Sequence, residues 1–302
     1  MTADQSYVSR EIAEQPKAWA RAQELAGEVA GQLPQPGERV AVIGCGTSWF
    51  MAAAYAALRE AAGAGETDAF AASQLPTERA YDRVVAISRS GTTTEVLRAI
   101  EATSSPVTAI TAVPDAPMAD VATATIVLDF ADEKSVVQTL FATTTLMLLR
   151  ASLGTSADRP IAEVAQVLDG GHGLDPAVDA ATQFSFVGQG WAAGIASEAA
   201  LKMREAARAW TESYSQMEYR HGPISIAEPG RVVWVFGEPV PGLLDAIAAT
   251  GATVVTSDLD PVADLVRVQL LSVRIAERQG LDPDRPRNLT RSVVLNEPEL
   301  TR

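Results

Sequence analysis

Arg39-Val40-Ala41-Val42-Ile43-Gly44-Cys45-Gly46-Thr47-Ser48 reads as a short buried strand running into a tight glycine turn and then a helix. Arg39 to Ile43 supplies the apolar strand, and Phe50 to Ala62, rich in alanine, supplies the helix. A second unit of the same kind follows: Val84 to Ile87 is an apolar run stopped by Ser88-Arg89-Ser90-Gly91, and Thr94 to Ala102 is helical. Val107 to Ile110 and Thr125 to Leu128 add two strands, and Ser135 to Ala151 a further helix. Strands alternating with helices imply a parallel sheet covered on both faces.

Before this series, residues 7–32 carry Ile12, Trp19, Leu25 and Val29 among charged neighbours and read as a helix that Pro16 interrupts early. After it, glycine and proline accumulate over 152–182 around a helix at Ile161 to Leu168, the expected connection between halves. The pattern then restarts. Phe184 to Val187 is a strand stopped by Gly188-Gln189-Gly190, and Ile195 to Trp210 is a helix. Val232 to Phe236 and Ala252 to Thr256 are strands flanking a helix at Leu243 to Ala249, and 261–279 is a long last helix. Two strand–Gly-x-Gly–helix units, each opening a βα series, point to an internal duplication. The predicted organisation is a helical segment over 1–33, a first α/β subdomain over 34–155, and a second over 172–302 that ends in a proline-rich tail.

Composition narrows the function. The 302 residues are enough for two ordinary domains, and 47% hydrophobic with 21% charged residues is a soluble globular balance. A net charge of −14 argues against a nucleic-acid partner, which would need a basic face. It leaves room for an anion only where backbone N–H groups and hydroxyls are focused. Cys45 is the single cysteine, so no disulfide forms within the chain, in keeping with a cytoplasmic location. His172 and His221 stand far apart, which argues against a histidine-rich metal site. Met1 to Arg10 lacks the apolar core of a signal peptide, and no apolar run has the length of a membrane span.

The two turns carry the chemistry. Each sits at a strand end and opens a helix, whose N-terminus offers unpaired N–H groups and partial positive charge. Ser88-Arg89-Ser90-Gly91-Thr92-Thr93 has four hydroxyl residues in six positions. That density suits a phosphate monoester. The dinucleotide fingerprint is broken because Trp49 stands where its third glycine belongs, and no Gly-Lys-Ser/Thr follows either turn. Simple N-capping explains either turn alone. Two adjacent turns at carboxyl ends of strands read better as an anion site. Cys45 reads as a small turn residue rather than a nucleophile. Farther on, Glu198, Lys202 and Glu205 share one helix face and His221 lies near a helix end. On pattern alone a solvated salt-bridge stripe is the better reading of the three, a structural C-cap histidine is the plain reading of His221, and periodicity promotes neither to catalysis.

Taken together, the ordered motifs resemble the SIS (sugar isomerase) family: the isomerase half of glucosamine-6-phosphate synthase, and the SIS-domain isomerases and deaminases generally. They are Glu11-Ile12-Ala13-Glu14-Gln15-Pro16, the turns at 44–48 and 88–92, Glu198-Ala199-Ala200-Leu201-Lys202-Met203-Arg204-Glu205, His221-Gly222-Pro223, and Asp284-Arg285-Pro286-Arg287-Asn288-Leu289. The resemblance implies two doubly wound three-layer αβα SIS subdomains with parallel sheets. It implies phosphate held by Ser48, Ser88, Ser90 and Thr93, with Arg89 where the synthase has glutamine. Glu205 would move a proton between C1 and C2 of an open-chain sugar, with Lys202 beside it. His221 would open the ring and is often supplied by a partner subunit, so a homodimer is expected. Thr47, Val136 and Thr290 would line the sugar. Neither metal nor redox cofactor is implied. Arg291 stands where the synthase has a tail lysine; it stays protonated, which disfavours a Schiff base and leaves an electrostatic role. No glutaminase domain is expected, and Ser88-Arg89-Ser90-Gly91 with Glu133-Lys134-Ser135-Val136-Val137 looks closer to the galactosamine-6-phosphate deaminase/isomerase branch. The expected function is aldose–ketose isomerisation or isomerising deamination of a hexose or amino-hexose 6-phosphate. A deglycase cleaving a sugar-phosphate amine adduct and a non-catalytic sensor are the alternatives.

Overall fold

A computed structural model describes residues 6–295; residues 1–5 and 296–302, including the last part of the tail expected over the site, lie outside the described residues. The chain opens with α1 (Tyr7–Glu28), then β1 (Val40–Gly44), α2 (Thr47–Ala61), β2 (Thr67–Ala71), β3 (Arg83–Ile87), α3 (Thr94–Ala102), β4 (Val107–Thr111), α4 (Pro117–Val121) and β5 (Ala124–Val127). Three helices connect the halves: α5 (Leu140–Ser152), α6 (Asp158–Leu168) and α7 (Pro176–Ala180). The second half is β6 (Gln183–Gly188), α8 (Ala192–Ala207), β7 (Trp210–Ser215), α9 (Gln216–Tyr219), β8 (Arg231–Phe236), α10 (Leu243–Ala248), β9 (Thr253–Val255) and α11 (Pro261–Arg278).

Two parallel sheets result, ordered β2-β1-β3-β4-β5 and β7-β6-β8-β9. The two-residue alternation of a strand divides its side chains between two cores. Val40, Val42, Val85 and Ile87 face a central core shared with α1, α5, α8 and α11, and so do Phe184, Phe186, Trp234 and Phe236 of the second sheet. Ala41, Ile43, Val84 and Ala86 face outward to α3 and α4. Val187, Val233 and Val235 face outward toward Leu243 and Ile247 of α10. The doubly wound expectation is therefore met in both halves. Strand order reverses between β1 and β3 and again between β6 and β8, and crevices open at such points.

Several local expectations are corrected. Pro16 lies within α1 and does not interrupt it. The carbonyl of Ile12, which a residue-16 N–H would normally reach, accepts Gln15 Nε2 at 3.2 Å instead. The helix expected from Ser135 begins at Leu140, because Glu133 caps it: its carboxylate accepts the amides of Thr139 at 2.6 Å, Leu140 at 2.7 Å and Phe141 at 3.1 Å. The helix expected to reach Trp210 stops at Ala207, where Arg208 turns left-handed with φ 52°. Trp210 instead starts β7. Strands β2 and β7 gave no apolar run in the sequence because both are edge strands with partly exposed polar residues, such as Asp68 and Glu212.

The halves are held closely. A β-carbon on Gly194 of α8 would fall 2.7 Å from the carbonyl oxygen of Phe50 and 2.9 Å from the amide of Ala54, so α8 lies backbone-to-backbone on α2. Arg150 at the end of α5 forms a buried bidentate pair with Asp260 at the start of α11, at 2.9 and 2.6 Å.

Candidate functional site

The turns after β1 and β3 meet at the first reversal of strand order. Gly44 is required there: a β-carbon would lie 2.7 Å from the Ser48 backbone, because α2 doubles back over the strand end. Gly188 answers to the same need, with Ala192 O at 2.1 Å. The duplication is thus visible in both turns. It does not extend to charge. The second crevice is lined by Glu238, Asp258 and Asp260 with a single arginine, Arg159, whereas the first is lined by hydroxyls with Arg89 and Arg291 and by no acidic residue.

Ser48, Ser88, Arg89, Ser90, Thr93 and Arg291 line one small cavity in the first crevice, of about 30 Å³, room for little more than a water. Thr47, Ser48, Ser88 and Ser90 are all buried. Ser88 Oγ lies 3.3 Å from Thr93 Oγ1 and accepts the amide of Gly91 at 3.2 Å. Ser90 Oγ accepts the Thr92 amide at 3.3 Å. The tail closes the cavity from outside. Ser292 Oγ lies 3.1 Å from Ser90 Oγ and 2.9 Å from Thr92 Oγ1, and Thr94 N donates to Val293 O at 3.2 Å. Cys45 also lines it; burial pushes its thiol up to about 11, with Glu95 adding to the shift, so it stays protonated at neutral pH. That agrees with a turn residue and not a nucleophile.

Arg89 lines the cavity and also binds backbone around it. It is 2% exposed, and its guanidinium donates to Ser135 O at 2.9 Å, Val136 O at 3.5 Å and Arg291 O at 3.0 Å, with Glu133 at 3.8 Å. It ties the 133–139 loop to the tail. Arg291 reciprocates, donating to the carbonyl of Glu133 and the carboxylate of Asp132. Val136 is half-buried in that loop, its amide bound to Asp284 O at 3.1 Å. Thr290 is exposed, with its hydroxyl on Ser292 O at 2.9 Å. The motifs at 11–16 and 284–289 prove to be fasteners. Glu11 accepts the amide of Lys134 at 2.6 Å and the hydroxyl of Ser135, and Asp284 accepts the amides of Tyr7 and Val8, each at 2.8 Å, capping α1.

The acidic face of α8 comes to the same place. Lys202 Nζ lies 2.5 Å from Glu205 Oε2 and 3.4 Å from Glu198 Oε1, with Lys202 and Glu198 each 1% exposed and Glu205 half-buried. Thr47 at the start of α2 is near enough to temper the Glu198 carboxyl, whose Oε2 is buried without a hydrogen-bond partner, and the charge of Glu133 is felt at Lys202. A solvated stripe is thereby ruled out. Burial opposes two ionised carboxylates around one ammonium, and it pushes Glu198 up to about 8, with Glu205 adding to the rise and Lys202 and Thr47 opposing it. Burial also pulls Lys202 down, but the two carboxylates outweigh it and hold the ammonium above its ordinary value. The cluster therefore resists a second negative charge at Glu198 and keeps Lys202 charged, with Glu205 oriented by the ammonium. Glu205 looks outward into a groove of about 420 Å³ formed with Leu201 and the tail residues Asn288 and Leu289.

This arrangement makes a pH-dependent stability. The unfolded chain releases the Glu198 proton near 4.5 and the folded chain keeps it to about 8, so stability falls as pH rises through that window. Glu198→Gln has no such proton. Its melting temperature relative to the parent is expected to climb between about pH 5 and pH 8. A constant difference across that range would show that Glu198 titrates normally.

His221 is not brought to the cluster within one chain: it is exposed beyond α9, with its amide on Glu218 O at 2.9 Å. Among the described residues, no group of three or more His, Cys, Asp or Glu is placed to hold a metal ion, and no helix is long and apolar enough to cross a membrane.

No family model matches the chain. The glutamine–fructose-6-phosphate aminotransferase [isomerizing] of Methanothermobacter thermautotrophicus is 28% identical, over 96% of this chain and 57% of that protein. The chain thus spans little more than half the length of this curated relative. Glucosamine-6-phosphate deaminase of Thermotoga maritima superposes with a TM-score of 0.79 at 24% identity, covering 96% of this chain and all of the other. The chain resembles the SIS phosphosugar isomerases in sequence and in fold. A further SIS structure, tagatose-6-phosphate ketose/aldose isomerase of Escherichia coli, gives a TM-score of 0.77 at 17% identity, covering 97% of each chain, and bears on fold alone. In both sheets the parallel order seen here is the SIS arrangement.

Proposed function

We propose that the chain is an aldose–ketose isomerase or isomerising deaminase of a hexose or amino-hexose 6-phosphate. The observation that carries the reading is Glu205. It is a carboxylate bonded to a buried ammonium, set on a helix face that reaches Thr47 beside the hydroxyl turns, and it is open to a groove. In this reading Ser48, Ser88, Ser90 and Thr93 grip the phosphate once the Ser292 strap yields. Arg89 and Arg291 act on the walls of the site, holding loop 133–139 and the tail, with Val136 and Thr290 at the sugar.

Glu205 removes the proton on C2 of the open-chain aldose. The C–H electrons form the C1–C2 double bond, and the carbonyl oxygen gains a proton to give the enediol. The same proton then returns to C1 as the C2 oxygen becomes the carbonyl. With an amino sugar the C2 product is an imine, which water hydrolyses to a ketose and ammonia. Lys202 holds the carboxylate in place. His221, reaching a neighbouring subunit's site in a homodimer, opens the ring.

A panel of hexose and amino-hexose 6-phosphates tests this by thermal shift together with ketose and ammonia assays. At least one is expected to raise the melting temperature and turn over, since a ligand bound to the folded state alone stabilises by mass action. Ser90→Ala is expected to weaken that shift by removing a buried hydroxyl donor, a net effect of about 1.5–3 kcal/mol for a bond to a charged group. Absence of any shift or product across the panel overturns the proposal.

A further inference from the structure

We propose that the groove between the end of α8 and the tail is a second anion subsite, taking a carboxylate or phosphate carried by the substrate at the end remote from its 6-phosphate. This rests on the reading of Glu205 as the base. Arg204, Arg208 and Arg287 line the groove beside Glu205, and Glu205 is its sole acidic lining residue. The Glu205 charge is already met by Lys202 at 2.5 Å, so the groove is left net positive. That is out of keeping with a chain of net charge −14. Many arginines elsewhere find carboxylates, among them Arg83 with Glu38 at 3.0 Å, Arg267 with Asp264 at 2.7 Å and Arg150 with Asp260 at 2.6 Å, while others such as Arg98 and Arg220 stand singly rather than converging on one groove. Among the described residues none of the three groove arginines forms an ion pair.

Two details fix the groove. Arg208 holds a left-handed backbone, φ 52°, at the position closing a helix where glycine is the usual occupant. The strain is kept at the rim of a candidate site, where such outliers collect. Arg204 Nη1 is anchored on Thr211 Oγ1 at 3.1 Å, which orients its fork without neutralising it. Planar guanidinium forks match carboxylate and phosphate oxygens two at a time. Leu201 and Leu289 line the same groove and lower the local dielectric, which strengthens such contacts.

Titration calorimetry on the full chain decides the matter with two pairs of ligands. One pair is an amino-hexose 6-phosphate bearing an N-carboxymethyl group and the primary amide of the same compound. The other is fructose 1,6-bisphosphate and fructose 6-phosphate. The charged member of at least one pair is expected to bind about tenfold or more tighter. The pair that discriminates tells carboxylate from phosphate. The preference is expected to shrink to within about threefold in Arg208→Gln/Arg287→Gln, and in the parent to fall as salt is raised, since the groove is partly open. Equal binding within both pairs overturns the subsite, as does a preference that survives both the double substitution and salt. Binding rather than turnover is read, so failure of Glu205 as the base leaves this result standing. Turnover of plain hexose 6-phosphates with no charge preference removes the subsite alone.

Discussion

Glu205→Gln is expected to slow exchange of the C2 proton of a bound hexose 6-phosphate by about 10²–10⁴-fold, the usual contribution of a positioned acid–base group. Glutamine keeps the size of the side chain and can still meet Lys202, but it has no basic oxygen pair to take a carbon-bound proton. The proposed phosphate grip is on other elements, the turns after β1 and β3, so the thermal shift produced by the same ligand is expected to persist. Exchange is followed by nuclear magnetic resonance in deuterated water. A variant that exchanges at the parental rate removes Glu205 from the mechanism. A variant that loses ligand binding as well shows Glu205 to be a binding group.

Arg150→Met is expected to be the most destabilising single change outside the apolar core. Arg150 and Asp260 are both nearly buried and meet through two bonds of 2.9 and 2.6 Å, and the Arg150 guanidinium also lies 4.9 Å from the ring centre of Trp191. Removing one partner strands the other charge, which costs about 3–5 kcal/mol in such pairs. For a chain of this size that lowers the melting temperature by roughly 5–15 °C. Arg150→Met/Asp260→Asn is expected to recover part of the loss, because the carboxamide removes the stranded charge and keeps an oxygen for the Val262 amide at the start of α11. A single variant that melts with the parent, or a double variant no better than the single, excludes the stranded charge as the cause.

What the sequence disclosed and what it hid divide along physical lines. The turns at Gly44 and Ser88 were legible because strand, glycine and helix start are neighbours in sequence, and their chemistry follows from local rules. The apolar strands were legible for the same reason. Edge strands β2 and β7 were not, since a half-exposed strand tolerates Asp68 or Glu212 and leaves no apolar run. The roles of Glu133, Glu11 and Asp284 were hidden because each is defined by its partners. Glu133 caps α5 only because the chain folds back over six to eight residues, and Glu11 and Asp284 reach amides more than 120 residues away. On the helix face of α8, spacing put Glu198, Lys202 and Glu205 together. It could not tell a wet stripe from a buried proton-sharing cluster, because burial is a property of what packs on top. Arg89 shows a second hidden role: besides lining the hydroxyl cavity, its guanidinium binds carbonyls of Ser135 and Arg291, partners distant in sequence.

The backbone contact at Gly194 also dictates how a guest gets in. With α2 and α8 touching there and Arg150 riveted to Asp260, the two sheets have no slack to part like jaws. The approach to the hydroxyl crevice that remains is its outer side, where the short strip of chain around Ser292 is held by only a few hydrogen bonds.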